Sequence, residues 1–228
     1  MSPATPLNIA ILASGSGTNA QAMIDKMRQG LLSVRIAAII CNRPGAKVLE
    51  RARAAGIADI CIDHTQFPDR ESHDRAMVAA IRQSGAQLVV LAGYMRLLSG
   101  YFLAEVGCPV INLHPAILPS FPGVHGGADA LDWGVKISGA TVHFVEEAMD
   151  SGPPIIQAAV PVNADDDEES LMQRIHAMEH RIYPQAVQWF AEGRIDRQGR
   201  RVAVSATEKP RAAVIGDYFV WPPLEEGF

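Results

Sequence analysis

The chain has 228 residues, 48% of them hydrophobic, and a formal net charge of −5. That length buries a substantial core in one large α/β domain or two small ones. The acidic balance, without any long run of Lys or Arg, argues against a nucleic-acid or membrane-surface binder, because counterion-releasing contacts need clustered cations. In chain order, Leu7–Ala13 (LNIAILA), Val34–Cys41 (VRIAAIIC) and Leu88–Ala92 (LVVLA) are short apolar β-rich runs, and helices are expected between them at 20–40, 45–58 and 70–84. Strands alternating with helices imply βαβ crossovers and a parallel sheet, so residues 1–113 read as a Rossmann-like nucleotide-binding half. A fourth strand is expected at Val110–Leu113, leading into a loop stiffened by Pro115, Pro119 and Pro122. Ile137–Val145 and Ile155–Val160 follow as two antiparallel strands around the loop EEAMDSGPP. Asp165 is expected to open a helix, with Glu168 completing a capping box, and Pro184 to kink it or mark its last turns. A hairpin around Gln198–Gly199 and a Pro-containing tail complete residues 194–228.

No apolar run reaches the roughly 20 residues of a membrane span, and MSPATPLN lacks the regions of a signal peptide, so a cytoplasmic location is expected. Cys41, Cys61 and Cys108 lack metal spacing and are expected as small buried thiols. Arg194, Arg197, Arg200 and Arg201 are expected on a solvated hairpin.

The densest chemistry lies in INLHPAILPSFPG, Ile111–Gly123. Residues i and i+2 of a strand point to one side, so Asn112 and His114 share a face at the end of a strand, where open α/β sheets bind ligands. An amide that donates to a carbonyl oxygen, beside an imidazole that moves a proton, suits acyl or formyl transfer; the same residues also serve to satisfy loop backbone. SGSGTNA, Ser14–Ala20, follows the first strand, where glycines let backbone approach an anion at a helix start. It fits the loose pattern G-x-G-x-x-A, yet a dinucleotide fold expects an acidic residue about 20 residues on, where this chain has Cys41-Asn42-Arg43. That favours a single phosphate held by Gly17, Thr18 and Asn19 over a dinucleotide or a merely tight turn. His176–His180, HAMEH, fits the H-x-x-E-H metal pattern, but with no third ligand the reading favours polar, solvent-facing or substrate-contacting residues. Asp150 is either a turn residue beside glycine or a carboxylate that favours a charged imidazole, and the sequence leaves these even. His143 reads as buried and hydrogen-bonded.

Four segments in order, SGSGTN, AGYMRLLS (Ala92–Ser99), INLHPAILPSFPG and ATVHFVEEAMDSGPPIIQ (Ala140–Gln157), together resemble the phosphoribosylglycinamide formyltransferase family of purine synthesis, over about Leu7–Gly193. The resemblance implies one formyltransferase domain over 1–228, divided as 1–113, a folate and catalytic half at 114–193, and 194–228. Its fold would be a three-layer α/β architecture with a mostly parallel seven-stranded sheet and one antiparallel strand. By resemblance Gly17, Thr18, Asn19 and Glu179 bind 5'-phosphoribosylglycinamide, and Arg70, Met95, Arg96, Leu97, Leu98 and Asn112 bind 10-formyltetrahydrofolate. Asn112, His114 and Asp150 would be catalytic, with His114 the proton donor, and no metal is needed. The implied enzyme is a monomer or homodimer acting on two small molecules, without nucleic acid or membrane.

One departure stands out: VHGGADALDWG keeps His125 but places Gly126 and Gly127 where bulkier residues are common, and paired glycines are expected to loosen that loop. Methionyl-tRNA formyltransferase and formyltetrahydrofolate hydrolase are the rival enzymes; each would be expected to add a further domain for which this chain leaves no room. A non-catalytic nucleotide-binding module is the rival of another class, and it has no use for Asn112, His114 and Asp150 together.

Overall fold

The structure is a computed structural model that describes residues 5–205 and 213–228. The chain divides into two compact units, Met1–Ile111 and Asn112–Phe228.

The first unit alternates β1 (Leu7–Ala13), α1 (Thr18–Arg28), β2 (Val34–Cys41), α2 (Lys47–Ala55), β3 (Asp59–Cys61), α3 (Arg70–Ser84), β4 (Leu88–Leu91) and α4 (Gly100–Glu105). Its strands lie in the order β4-β1-β2-β3, and the β4/β1, β1/β2 and β2/β3 pairs are parallel. Buried Ile9, Ile11, Leu12, Ile39, Ile40, Val89 and Val90 fill both faces of this sheet, as parallel strands require. Each such aliphatic side chain stabilises the fold by about 1.5–3 kcal/mol relative to exposure. α1 is shorter than expected. It stops at Arg28 because Gly30, at φ 74°, turns the chain left-handed and β2 begins at Val34.

The second unit opens on the end of β5 (Val110–His114) and continues through α5 (Gly126–Asp132), β6 (Ile137–Phe144), β7 (Pro154–Pro161), α6 (Glu168–Ala191), β8 (Ile195–Gln198), β9 (Arg201–Val204), β10 (Val214–Ile215) and β11 (Tyr218–Trp221). Strand order is β10-β11-β7-β6-β5, with β6/β7, β7/β11 and β10/β11 antiparallel. The two units hold four and five such strands among the described residues, two more than the seven expected, because the C-terminal tail adds β10 and β11. Both β7 and β10 therefore run opposite to β6, where one reversed strand was expected.

α6 begins at Glu168, capped by Asp167: its side chain accepts from Ser170 N at 2.8 Å, and Ser170 Oγ answers the Asp167 N–H at 3.1 Å. The capping box is thus Asp167/Ser170, not Asp165/Glu168. Pro184 sits inside the helix, which runs on to Ala191, because Tyr183, Ala186, Val187 and Trp189 are all buried and packing outweighs the lost N–H. The hairpin around Gln198–Gly199 forms as β8/β9, with Gly199 at φ 62°. Its first arginine is not solvated: Arg194 pairs with Glu192 at 2.8 Å and Glu225 at 2.7 Å, and Arg197 pairs with Glu146. Of the cysteines only Cys41 is buried; Cys61 is exposed on the short β3. No helix among the described residues is long and apolar enough to cross a membrane. Residues 206–212 of the expected tail lie outside the described residues.

Candidate active site

In the first unit, the loop between β1 and α1 is shaped by Gly17. It lies at φ 72°, and a Cβ there would come within 2.4 Å of Val48 Cγ2 and 3.1 Å of Val48 Cα, so only glycine fits without a shift of α2. Gly17 caps α1 in the left-handed conformation, without any side-chain bond to the helix N–H groups. Arg51 of α2 braces the loop, donating from Nε to Ser16 O at 2.8 Å and from Nη1 to Gln21 Oε1 at 3.0 Å. At the end of β2, where a dinucleotide fold would place its acid, Asn42 is buried and accepts from Ser14 Oγ at 2.6 Å.

Ser14 also anchors the segment 94–99. Met95 N donates to Ser14 Oγ at 2.8 Å and Ser99 N donates to the buried Asp74 carboxylate at 2.7 Å. Between these anchors Met95 and Leu97 hold apolar side chains in solvent, 61% and 53% exposed, while Arg96 and Leu98 are half-buried. Exposing two large apolar groups on an anchored backbone suits a flat apolar ligand better than a solvated turn. Arg70, exposed in the first turn of α3, lines a surface depression with Ser72, Arg75 and Ser99.

In the second unit the sequence places Asn112 and His114 on one side of β5, and the loops converge on them. His114 is 3% exposed. Its Nε2 lies 2.7 Å from Phe121 O and its Nδ1 3.5 Å from Asp150 Oδ2. A carbonyl accepts only, so Nε2 carries a proton that is committed to the loop. The nitrogen left for proton exchange is Nδ1, beside a carboxylate. Asp150 turns the chain at φ 51°, and its Oδ2 accepts from Gly123 N at 2.8 Å while facing His114. Phe121, also left-handed at φ 52°, is a stronger outlier, since an aromatic residue gains no local bond there. The exit from β5 is held by Thr141, whose Oγ1 donates to Ala116 O at 2.7 Å and accepts from Leu118 N at 3.1 Å. Gln157 adds a bond to Leu118 O at 3.0 Å.

A formyl transferase family model matches residues 7–187. The chain belongs to the formyl transferase family. It is 41% identical over 189 residues to phosphoribosylglycinamide formyltransferase of Escherichia coli, covering 83% of this chain and 89% of that protein. It is 43% identical over 187 residues to the trifunctional purine biosynthetic protein adenosine-3 of Drosophila melanogaster, but spans only 14% of that protein's length. Among solved structures, glycinamide ribonucleotide transformylase 1 from Symbiobacterium toebii superimposes with a TM-score of 0.85 at 46% identity, covering 88% of this chain and 94% of that one.

Within this formyl transferase, the H-x-x-E-H pattern lies on α6. Glu179 is buried, His176 is exposed with its Nε2 3.9 Å from the Glu179 carboxylate, and burial holds the His180 imidazole below the ordinary histidine range. Among the described residues no group of three or more His, Cys, Asp or Glu side chains is placed to hold a metal ion. Gly126 and Gly127 are both buried in the first turn of α5, where a Cβ on Gly126 would come within 3.1 Å of Pro115 O and one on Gly127 within 2.8 Å of Met172 Sδ of α6, so Gly126 lets α5 approach the loop after β5 and Gly127 lets it approach α6. Ser14, Asp74, Phe121 and His143 are the site-shaping residues that motif reading did not single out for such a role. A buried Ser or Asp that holds a loop N–H leaves no pattern in sequence.

Proposed function

We propose that the chain transfers the formyl group of 10-formyltetrahydrofolate to the amine of 5'-phosphoribosylglycinamide, giving formylglycinamide ribonucleotide and tetrahydrofolate in purine synthesis. The observation that carries the reading is the second unit's cluster: Asn112 and His114 on one strand side, with the Asp150 carboxylate 3.5 Å from His114 Nδ1. The relatives at about 40% identity named for this reaction support the same substrates. The two compact units are read as halves of one formyltransferase domain, as a family match running through both supports.

In this reading the N–H groups of Gly17, Thr18 and Asn19 take the phosphate of the ribonucleotide, and the buried Glu179 carboxylate accepts a hydrogen bond from the same substrate. Met95, Arg96, Leu97, Leu98 and Arg70 take the formylfolate, which is consumed as a substrate; exposed apolar side chains and a cation fit a ligand that is aromatic at one end and carboxylate at the other. The amine attacks the formyl carbon, a C–N bond forms, and the carbonyl oxygen gains negative charge. Asn112 Nδ2–H and His114 Nδ1–H donate to that oxygen, and each such donor is worth about 2.7–4 kcal/mol of barrier. Asp150, 3.5 Å from Nδ1, orients the imidazole. The bond from the formyl carbon to the folate nitrogen then breaks, and the proton lost by the amine reaches that nitrogen through His114 or water. The enzyme is read as cytoplasmic, a monomer or homodimer that needs neither nucleic acid nor membrane.

The test is formyl transfer from 10-formyltetrahydrofolate to 5'-phosphoribosylglycinamide, methionyl-tRNA and water, side by side. Product is expected with the ribonucleotide at a rate far above both others; faster formate release or tRNA formylation would overturn the assignment.

A further inference from the structure

We propose that His143 is a positioning residue for this reaction: protonated on Nδ1 alone, it takes an N–H of Asn112 on Nε2 and so sets which end of the Asn112 amide faces the reacting oxygen. The inference rests on the reading of Asn112 as an oxyanion donor and extends it to a residue that touches neither substrate.

The geometry leaves one consistent arrangement of protons. His143 is buried on β6, and its Nδ1 lies 2.8 Å from Phe144 O. That carbonyl only accepts, so Nδ1 carries the hydrogen, and in a neutral ring Nε2 is then an acceptor. The Asn112 amide stands 3.3 Å from Nε2. Only its Nδ2–H can face a nitrogen lone pair, which leaves the second hydrogen of Nδ2, on a half-exposed side chain, for a substrate oxygen. Asparagine alone has no preference between the two ends of its amide, because Oδ1 and Nδ2 are nearly identical in shape. His143 supplies the preference.

Protonation of His143 reverses it. An Nε2–H facing Nδ2–H is a donor against a donor, so the amide turns to offer Oδ1. The formyl oxygen then meets no donor from Asn112. The charged groups that face His143 are the Asp150 carboxylate, whose Oδ1 is 3.7 Å from Nε2, Glu146 and the His114 imidazole. The two carboxylates favour the charged ring and His114 opposes it, but burial is the largest influence and holds His143 below the ordinary histidine range. The sign is therefore fixed: the ring is neutral and the amide correctly turned near neutral pH, and the arrangement is lost as pH falls through the depressed His143 value.

The experiment measures kcat and both KM values against pH for the unmodified enzyme, His143→Ala and His143→Gln. His143→Ala should lower kcat at least ~10-fold with each KM within about threefold, as loss of one oriented donor predicts. His143→Gln keeps an acceptor oxygen near the Nε2 position and cannot titrate. It should recover most of the lost kcat and hold it to at least ~1 pH unit lower than the unmodified enzyme does. An acid limb in His143→Gln that coincides with the unmodified one, or unchanged kcat in His143→Ala, would overturn the proposal. Nitrogen-15 NMR of the unmodified protein supplies a readout independent of variant folding and of activity. A neutral ring protonated on Nδ1 at pH 7 is expected, and a charged ring or an Nε2–H tautomer there would also overturn it. Failure of formyl transfer to the ribonucleotide would instead sink the reading of the reaction while leaving the NMR result standing.

Discussion

The loop at Gly17–Asn19 and the cluster around His114 solve opposite problems. In the proposed reaction the first offers backbone N–H groups to a phosphate, and its side chains matter mainly by being absent, as the 2.4 Å approach to Val48 shows. The second is built from side chains in fixed protonation states, each held by a backbone partner: His114 by Phe121 O, Asp150 by Gly123 N and His143 by Phe144 O. A backbone site should therefore fail through shape and affinity, and a side-chain site through chemistry. The contrast is open to attack from both ends.

The largest expected effect is at His114. His114→Ala removes the donor and proton carrier and should lower kcat at least ~10²-fold with folding retained; near-normal turnover in a folded variant would take His114 out of the mechanism. Asp150→Asn keeps the shape and an oxygen able to accept from Gly123 N, so the loop should stay in place. The lost charge should still lower kcat at neutral pH by on the order of 10-fold, and an unchanged kcat with unchanged thermal stability would reduce Asp150 to a turn residue. Gly17→Val adds a Cβ and two methyl groups where there is no space and forces a branched side chain to φ 72°. It should cost about 1–3 kcal/mol in denaturant titration and raise the ribonucleotide KM at least ~10-fold more than the folate KM. Equal effects on both substrates, or NAD binding by the unmodified protein, would refute a phosphate site there. Glu179→Gln should weaken ribonucleotide binding several-fold, as loss of one charged acceptor predicts, and leave tetrahydrofolate binding unchanged in calorimetry. Chelator should have the smallest effect, leaving activity intact; one tightly bound zinc on which turnover depends would restore the metal reading of His176 and His180.

The same contrast decides what is legible in the sequence. β1 and β2 are found at their expected limits because buried parallel strands are largely apolar runs, here bounded by Pro6 and Ser14 and by Ser33 and Asn42. The Gly loop was legible for a related reason: a missing Cβ is itself a sequence feature. Asn112 and His114 could be paired by strand period alone, but nothing local predicts that Asp150, 36 positions beyond His114, faces its imidazole. Phe121 at positive φ and the Phe144 carbonyl are backbone features of aromatic residues that carry no such signal. Gly126 and Gly127 are ambiguous in sequence because glycine permits close packing as readily as mobility, and the backbone of Pro115 and the side chain of Met172 that they approach lie elsewhere in the chain. The tail was opaque because β10 and β11 are short, and Arg194, Trp189 and Gln185 hold Glu225 from far away in sequence.

The division of labour between the two regions is tested most directly by single-turnover formyl transfer with both substrates saturating, comparing His114→Ala with Gly17→Val. At saturation a defect of binding disappears and a defect of chemistry persists. His114→Ala is expected to remain at least ~10²-fold slow while Gly17→Val returns to within about threefold of the unmodified rate. A Gly17→Val enzyme that stays as slow as His114→Ala, or a His114→Ala enzyme restored by saturation, would contradict that division.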